Sequence, residues 1–114
     1  VHSEVGQLRK ALSYLVRYLA YNTPTDAPRI TLSVGRHEER EGGAEVRIIV
    51  GSRSATVTPE KLQRLFDPVH MVQESLIDVG PAVAQRLVEA LGGQLRLRQT
   101  RHELSFLVAL PAIT

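Results

Sequence analysis

The residue types that most often carry out chemistry are scattered along this chain. Its four histidines, His2, His37, His70 and His102, share no spacing typical of a metal site, and there is no cysteine. No serine lies in a nucleophile elbow, or in an order with histidine and aspartate that indicates a triad. No pair of carboxylates is spaced convincingly for acid–base work. The sequence therefore indicates no independent catalytic constellation.

Tyrosine and arginine show more order than histidine. The three tyrosines, Tyr14, Tyr18 and Tyr21, are spaced at i, i+4 and i+7, so one face of a helix would carry all of them. Arg96 and Arg98 share a face of a predicted strand, where a basic stripe could hold phosphates. No stacking platform for single strands and no recognition helix accompanies these arginines, which favours ordinary solvated side chains.

Length and composition restrict the class of protein. The 114 residues suit one domain, and 43% apolar with 23% charged residues suit a folded core. Fourteen cations against twelve anions leave a net charge of +2, too small an excess to indicate nucleic acid as a partner. No apolar run reaches the roughly 20 residues of a membrane span, and no signal peptide is evident. We expect a single domain over residues 1–114, without membrane contact.

The first half of the chain changes from helical to strand periodicity. Leucines and valines at three- and four-residue steps predict a helix that starts at Ser3 or Glu4 and ends before Pro24. Alternating apolar residues over 30–34 and 46–50 predict a β-hairpin, with an exposed loop over 36–43.

The second half predicts two helices and then two strands. Thr58-Pro59-Glu60 is typical of a helix start, and a second helix from around Pro81 ends at Gly92-Gly93. The closing strands place Leu95 and Leu97 inward and cover residues 104–110. The order α-β-β-α-α-β-β favours an α+β two-layer sandwich, with a mixed, mostly antiparallel sheet covered on one face by helices.

Several short motifs occur in an order that resembles a known family. They are Leu8 to Leu12 ahead of Thr23-Pro24, then Leu65-Phe66-Asp67-Pro68, Gly80, Leu87-Val88-Glu89, Gly92-Gly93 and a final Leu110-Pro111. Together they resemble the ATP-binding catalytic domain of histidine kinases, of the GHKL (HATPase) superfamily. The resemblance spans nearly the whole chain and implies a cytoplasmic domain from a longer sensor protein, either a cytoplasmic protein or the cytoplasmic part of a membrane-bound one.

The resemblance also identifies the positions of the magnesium and adenine sites. The asparagines and the basic residue of the family's first helix fall on Tyr14, Tyr18 and Tyr21, which are poor ligands for Mg²⁺. The family's Asp-x-Gly-x-Gly segment falls on Ser52, Ser54 and Thr56. A serine can still accept one hydrogen bond, so base recognition is weakened rather than forbidden.

The two glycine-rich phosphate segments are altered as well. Where the family has a glycine loop, this chain keeps only Gly80. Pro81 has no N–H to donate, and Asp78 puts a negative charge where the phosphate would bind. The late Gly-x-Gly-Thr turn is replaced by residues 101–104. Joint loss of all four sites implies a degenerate member of the family.

Two apolar groups have alternative interpretations. The tyrosine face is either packing beneath the former ATP lid, with hydroxyls that reach solvent, or a filling of the nucleotide pocket or a partner surface. Residues 69–79 replace that lid, either as a segment closing the empty pocket or as an exposed docking patch. The candidate lid and partner residues are Phe66, Met71, Val72, Leu76 and Ile77.

We therefore expect a regulatory or docking module of two-component phosphorelay signalling that binds neither ATP nor Mg²⁺ and lacks catalytic residues. The resemblance implies three kinds of partner: a response-regulator receiver domain, another histidine kinase, and the chain's own upstream dimerisation and phosphotransfer hairpin. The alternative is a divergent ATP-binding domain that still works, with Ser52 and water in place of the aspartate and with ATP and Mg²⁺ as cofactors. A weaker one is an anti-sigma-like or nucleic-acid-binding module that uses the arginines.

Overall fold

The computed structural model describes residues 2–23, 29–38, 43–53, 57–66, 80–100 and 103–111. These residues form three helices and four strands. In chain order they are α1 (His2–Tyr21), β1 (Thr31–Glu38), β2 (Ala44–Ser52), α2 (Pro59–Arg64), α3 (Gly80–Ala90), β3 (Gln94–Gln99) and β4 (Leu104–Pro111).

The strands form one sheet in the order β1-β2-β4-β3, and each of its three neighbouring pairs is antiparallel. Helix α1 packs on β2, α3 packs on β3, and the two helices pack against each other. An apolar core fills the space between the layers, with Leu15, Val88 and Phe106 fully buried. The predicted α+β two-layer sandwich is confirmed.

Helix α1 forms because its apolar residues recur on one side. Ala11, Leu15 and Leu19 have no exposed surface. At its end two side chains donate to backbone carbonyls of the last turn. Asn22 Nδ2 donates at 2.8 Å to the Tyr18 carbonyl, which also accepts from the Asn22 N–H, and Thr23 Oγ1 donates to the Leu19 carbonyl at 2.7 Å. The helix therefore ends ahead of Pro24, as predicted, although it begins slightly earlier than Ser3.

The β1–β2 hairpin is longer than the alternation of apolar residues indicates. Strand β1 continues through Arg36 to Glu38, which lies opposite Ala44. The prediction of a loop from residue 36 onward is therefore wrong for residues 36–38. Every residue of β1 is exposed. The strand therefore continues through polar residues, because its pairing with β2 depends on backbone hydrogen bonds rather than on buried apolar side chains.

The turn after α3 explains the double glycine. Gly92 has a φ of 81°, its N–H bonds to the Glu89 carbonyl, and the Gly93 N–H bonds to the Val88 carbonyl. These are the two bonds of a Schellman motif, which needs a left-handed residue just past the helix. The turn directs the chain into β3, where Leu95 faces the core as predicted.

Candidate functional site

Ser52, the residue at the family's adenine position, lies at the end of β2 and is 2% exposed. Its Oγ is 2.9 Å from Thr23 Oγ1, at the end of α1. Because the single Thr23 hydroxyl proton goes to the Leu19 carbonyl, Ser52 must donate in the Thr23–Ser52 bond. Ser52 therefore keeps only acceptor capacity, inside the protein. Ser54 and Thr56 lie outside the described residues.

Tyr18, at a family magnesium position, is part of the core. It is 1% exposed, and its ring meets Phe106 of β4 edge to face, with ring centroids 6.0 Å apart and an interplanar angle of 75°. This is a favourable aromatic arrangement, and it links α1 directly to the middle of the sheet. The prediction that the tyrosine hydroxyls reach solvent is wrong for Tyr18, because the helix turns this position toward β4.

Tyr14 lies where α1 approaches the first turn of α3. Gly80 is buried there, and a Cβ on it would lie 3.3 Å from the Tyr14 carbonyl oxygen and 3.5 Å from Tyr14 Cβ. Because these distances are short, there is little room for a side chain at position 80. The glycine at the position that the resemblance assigns to the phosphate loop thus allows two helices to approach. Asp78, its predicted neighbour in that loop, lies outside the described residues.

Tyr21 lies at the last residue of α1 and is 63% exposed. The three tyrosines therefore have three different surroundings: the core for Tyr18, the α1–α3 contact for Tyr14 and solvent for Tyr21. Their spacing places them on one side of the helix, but that side spans the border between core and surface.

The turn between β3 and β4 stands where the family has its late glycine turn. The Thr100 N–H donates to the Glu103 carbonyl at 2.8 Å, and the Glu103 N–H donates to Thr100 Oγ1 at 3.1 Å. Glu103 also extends its carboxylate over Gly51 of β2, where a Cβ would lie 2.9 Å from Oε1. Sequence reasoning missed Thr23, Gly51 and Glu103; the one signal was the Thr23 hydroxyl next to a helix end.

The remaining predicted residues contribute little to one site. Phe66 is half-buried against the core, whereas Met71, Val72, Leu76 and Ile77 lie outside the described residues. His37 is exposed on β1, and so are Arg96 and Arg98 on β3. Over the described ranges no cluster of three acidic or histidine side chains could hold a metal ion, and no helix is long and apolar enough to cross a membrane.

No protein-family model matches this chain, and no curated protein matches its sequence. The resemblance to histidine kinases therefore stays a prediction from the motifs. The structure shows the surroundings of three residues that the resemblance assigns to contacts with ATP or Mg²⁺. All three are buried and packed against other parts of the chain: Tyr18, Ser52 and Gly80.

Proposed function

We propose that this chain is a degenerate histidine-kinase-type ATP-binding domain that no longer binds nucleotide and serves as a regulatory or docking module in phosphorelay signalling. In this role it would act in the cytoplasm, beside a dimerisation and phosphotransfer hairpin. Its partner would be a response-regulator receiver domain or another histidine kinase.

The observation that carries the proposal is the use of former nucleotide positions as packing positions. Magnesium needs compact oxygen ligands at about 2.0–2.1 Å, and the Tyr18 ring instead packs edge to face on Phe106. A phosphate loop needs free backbone N–H groups, and Gly80 instead lies buried against Tyr14. Loss of one position would weaken nucleotide binding, whereas loss of all of them removes the charge neutralisation that a triphosphate requires.

The divergent but working ATP-binding domain remains the alternative. It requires the Ser52 oxygen to accept a hydrogen bond from adenine, directly or through water. Ser52 does keep a free lone pair, but the residue is 2% exposed and its hydroxyl already contacts Thr23. Binding would require separating the end of α1 from β2, so this interpretation is disfavoured.

Thermal unfolding with and without ATP and Mg²⁺ tests the proposal. A ligand at 100 times its dissociation constant stabilises the folded state by about 2.7 kcal/mol, so 1 mM ATP with a Kd of 10 µM would raise Tm by roughly 10 °C. We expect a rise of less than about 1 °C, and no heat of binding by calorimetry.

Inorganic tripolyphosphate with Mg²⁺ is the matched control, because it carries the polyanion without the base. Equal, small effects of ATP and tripolyphosphate would reflect attraction to the arginines and would agree with the proposal. A micromolar Kd for ATP that tripolyphosphate does not reproduce would overturn it and support the alternative.

A further inference from the structure

The edge strand β1 exposes apolar side chains on the face of the sheet that the helices otherwise cover. Leu32 is 53% exposed and Val34 is 64% exposed. They lie opposite Val50 and Ile48 of β2, which are buried, and directly opposed residues of an antiparallel pair share a face. In the described part of the chain α1 packs on β2, and no comparable helix contact with β1 is seen.

The backbone of β1 is also open on its outer side. Within the described part of the chain β1 has one neighbour, β2, so its other edge presents unpaired N–H and C=O groups. Soluble proteins usually protect such edges with charges or proline. Residues 31–34 contain neither, whereas the other half of the strand carries an ion pair between Arg36 and Glu38 at 3.4 Å.

The pattern of β1 is self-complementary in one antiparallel register. If Ser33 lies opposite Ser33 of a second copy, Leu32 of each copy faces Val34 of the other, on the helix side of the sheet. Thr31 then faces Gly35, so five residues of β1 pair in each copy. Each side chain must stay on its own face when a sheet is extended, so the partner strand can shift only by two residues at a time. Each such shift moves the centre of the pair by one residue.

Neighbouring registers fit less well. One step toward the C terminus centres the pair on Val34 and sets Leu32 against Arg36. One step toward the N terminus centres it on Leu32 and leaves only residues 31–33 of β1 paired. Centring on Arg36 opposes two arginines, which is destabilising.

We propose that β1 is a homodimerisation edge, at which two copies of this chain join their sheets by antiparallel pairing centred on Ser33. The joint sheet would have eight strands, and the four side chains of Leu32 and Val34 would form one apolar patch across the join. This inference does not depend on the proposed function.

The expected dimer is weak. One strand pair with four apolar side chains buries less than the roughly 1,200 Å² at which standard stable interfaces begin. Association is therefore expected at high micromolar to millimolar protein concentration, or when another element of a longer protein holds two copies together.

Single cysteines test the register, since the chain has none of its own. In the proposed pair the Cα atoms of Ser33 lie about 4.5–5.5 Å apart, within the range of a disulfide. Ser33→Cys should therefore form disulfide dimers under mild oxidation. Thr31→Cys and Gly35→Cys are matched controls on the same strand and face, and each would lie roughly 14 Å from its own copy.

A mixture of the two control variants sharpens the test, because Thr31 faces Gly35 in the proposed register. Neither variant should cross-link alone, whereas the mixture should yield the mixed disulfide. The cysteine at position 35 fits, since a Cβ there meets nothing within 4 Å. Fastest cross-linking of Gly35→Cys with itself, or equal slow cross-linking of every variant, would overturn the proposal.

Sedimentation equilibrium of the unmodified chain supplies an independent measurement. Val34→Lys should weaken self-association at least tenfold, because it places two cations in the apolar patch. Gln99→Lys is the matched control, since it adds the same charge at an exposed position on the opposite edge strand, β3. A chain that stays monomeric at millimolar concentration, or equal weakening by both variants, would contradict the homodimer.

Discussion

At the scale of single residues, the hydroxyl pair of Thr23 and Ser52 joins the end of α1 to the end of β2. Both residues are at least 95% buried, and both hydroxyl protons are used, one toward Leu19 and one within the pair. A buried hydroxyl that loses its partner costs the full desolvation of that group, which is larger than the net gain of making the bond. The pair therefore contributes to stability through what its loss would leave unsatisfied.

Thr23→Val is expected to lower the free energy of unfolding by about 1–3 kcal/mol, because it leaves the Leu19 carbonyl and the Ser52 hydroxyl without their partner. Adding Ser52→Ala should cost less than the sum of the two single changes, since the double variant no longer holds an unpaired hydroxyl. Urea denaturation of the four proteins measures this coupling.

The control is Thr31→Val, which removes a hydroxyl whose 3.3 Å bond to the Gly51 carbonyl lies on the exposed edge strand. It should change stability by no more than about 0.5 kcal/mol. Additive effects of Thr23→Val and Ser52→Ala would show that the two hydroxyls do not act as a pair.

The tyrosines show how far residue spacing predicts a site. Their spacing correctly places Tyr14, Tyr18 and Tyr21 on one side of α1. It does not show that Phe106 receives Tyr18, because that contact depends on how far α1 is rotated over a strand more than 80 residues away in the chain. Tyr21 lies three residues after Tyr18 and is 63% exposed.

At the scale of elements, the α3–β3 turn is the most constrained connection in the described part of the chain. Gly92 provides the left-handed backbone, and Gly93 provides space. A Cβ on Gly93 would collide with the Ala109 carbonyl oxygen and lie 2.7 Å from Leu110 Cδ2. The first of these contacts is to backbone of the neighbouring strand β4, which cannot move without disturbing the sheet.

Gly93→Ala is therefore expected to destabilise the protein by about 1–3 kcal/mol or more, as overpacking does. Gly6→Ala is the matched control, because Gly6 lies on the exposed side of α1 with nothing within 4 Å of an added Cβ. That change should stabilise by roughly 0.5–1 kcal/mol through better helix propensity. Thermal unfolding of both variants checks the opposite signs; equal effects would contradict the close packing at Gly93.

Local signals predicted most elements of the described chain correctly, and tertiary context explains the rest. Pro24, Pro59 and the Gly92-Gly93 pair act on their own backbone, so the helix ends next to them follow from sequence. Residues 36–38 have no apolar alternation, and they pair as a strand because β2 offers them partners. The sequence likewise carries no signal that α1 covers β2 but leaves β1 open.

At the scale of the whole molecule, the core passes through the region that would hold nucleotide in the family. Tyr18 contacts the middle of β4, the hydroxyl pair fastens α1 to β2, and Gly80 brings α3 against α1. An ATP-dependent domain keeps such a region open until ligand fills it, and open regions have low local stability. In this chain the same elements lie within one continuous cluster of buried side chains.

We therefore expect the region that the resemblance assigns to nucleotide to be as stable as the centre of the sheet without any ligand. Hydrogen exchange followed by mass spectrometry should give segments 14–23 and 48–52 opening free energies within about 1 kcal/mol of segment 104–108, because all of them would open only by global unfolding. The exposed edge strand, segment 31–38, is the internal reference and should exchange faster. Opening of 14–23 and 48–52 that is easier by about 3 kcal/mol or more, and that ATP with Mg²⁺ suppresses, would reveal a nucleotide site that closes on its ligand. That result would contradict the proposed loss of binding even if the equilibrium population of the open form were too small for calorimetry to detect.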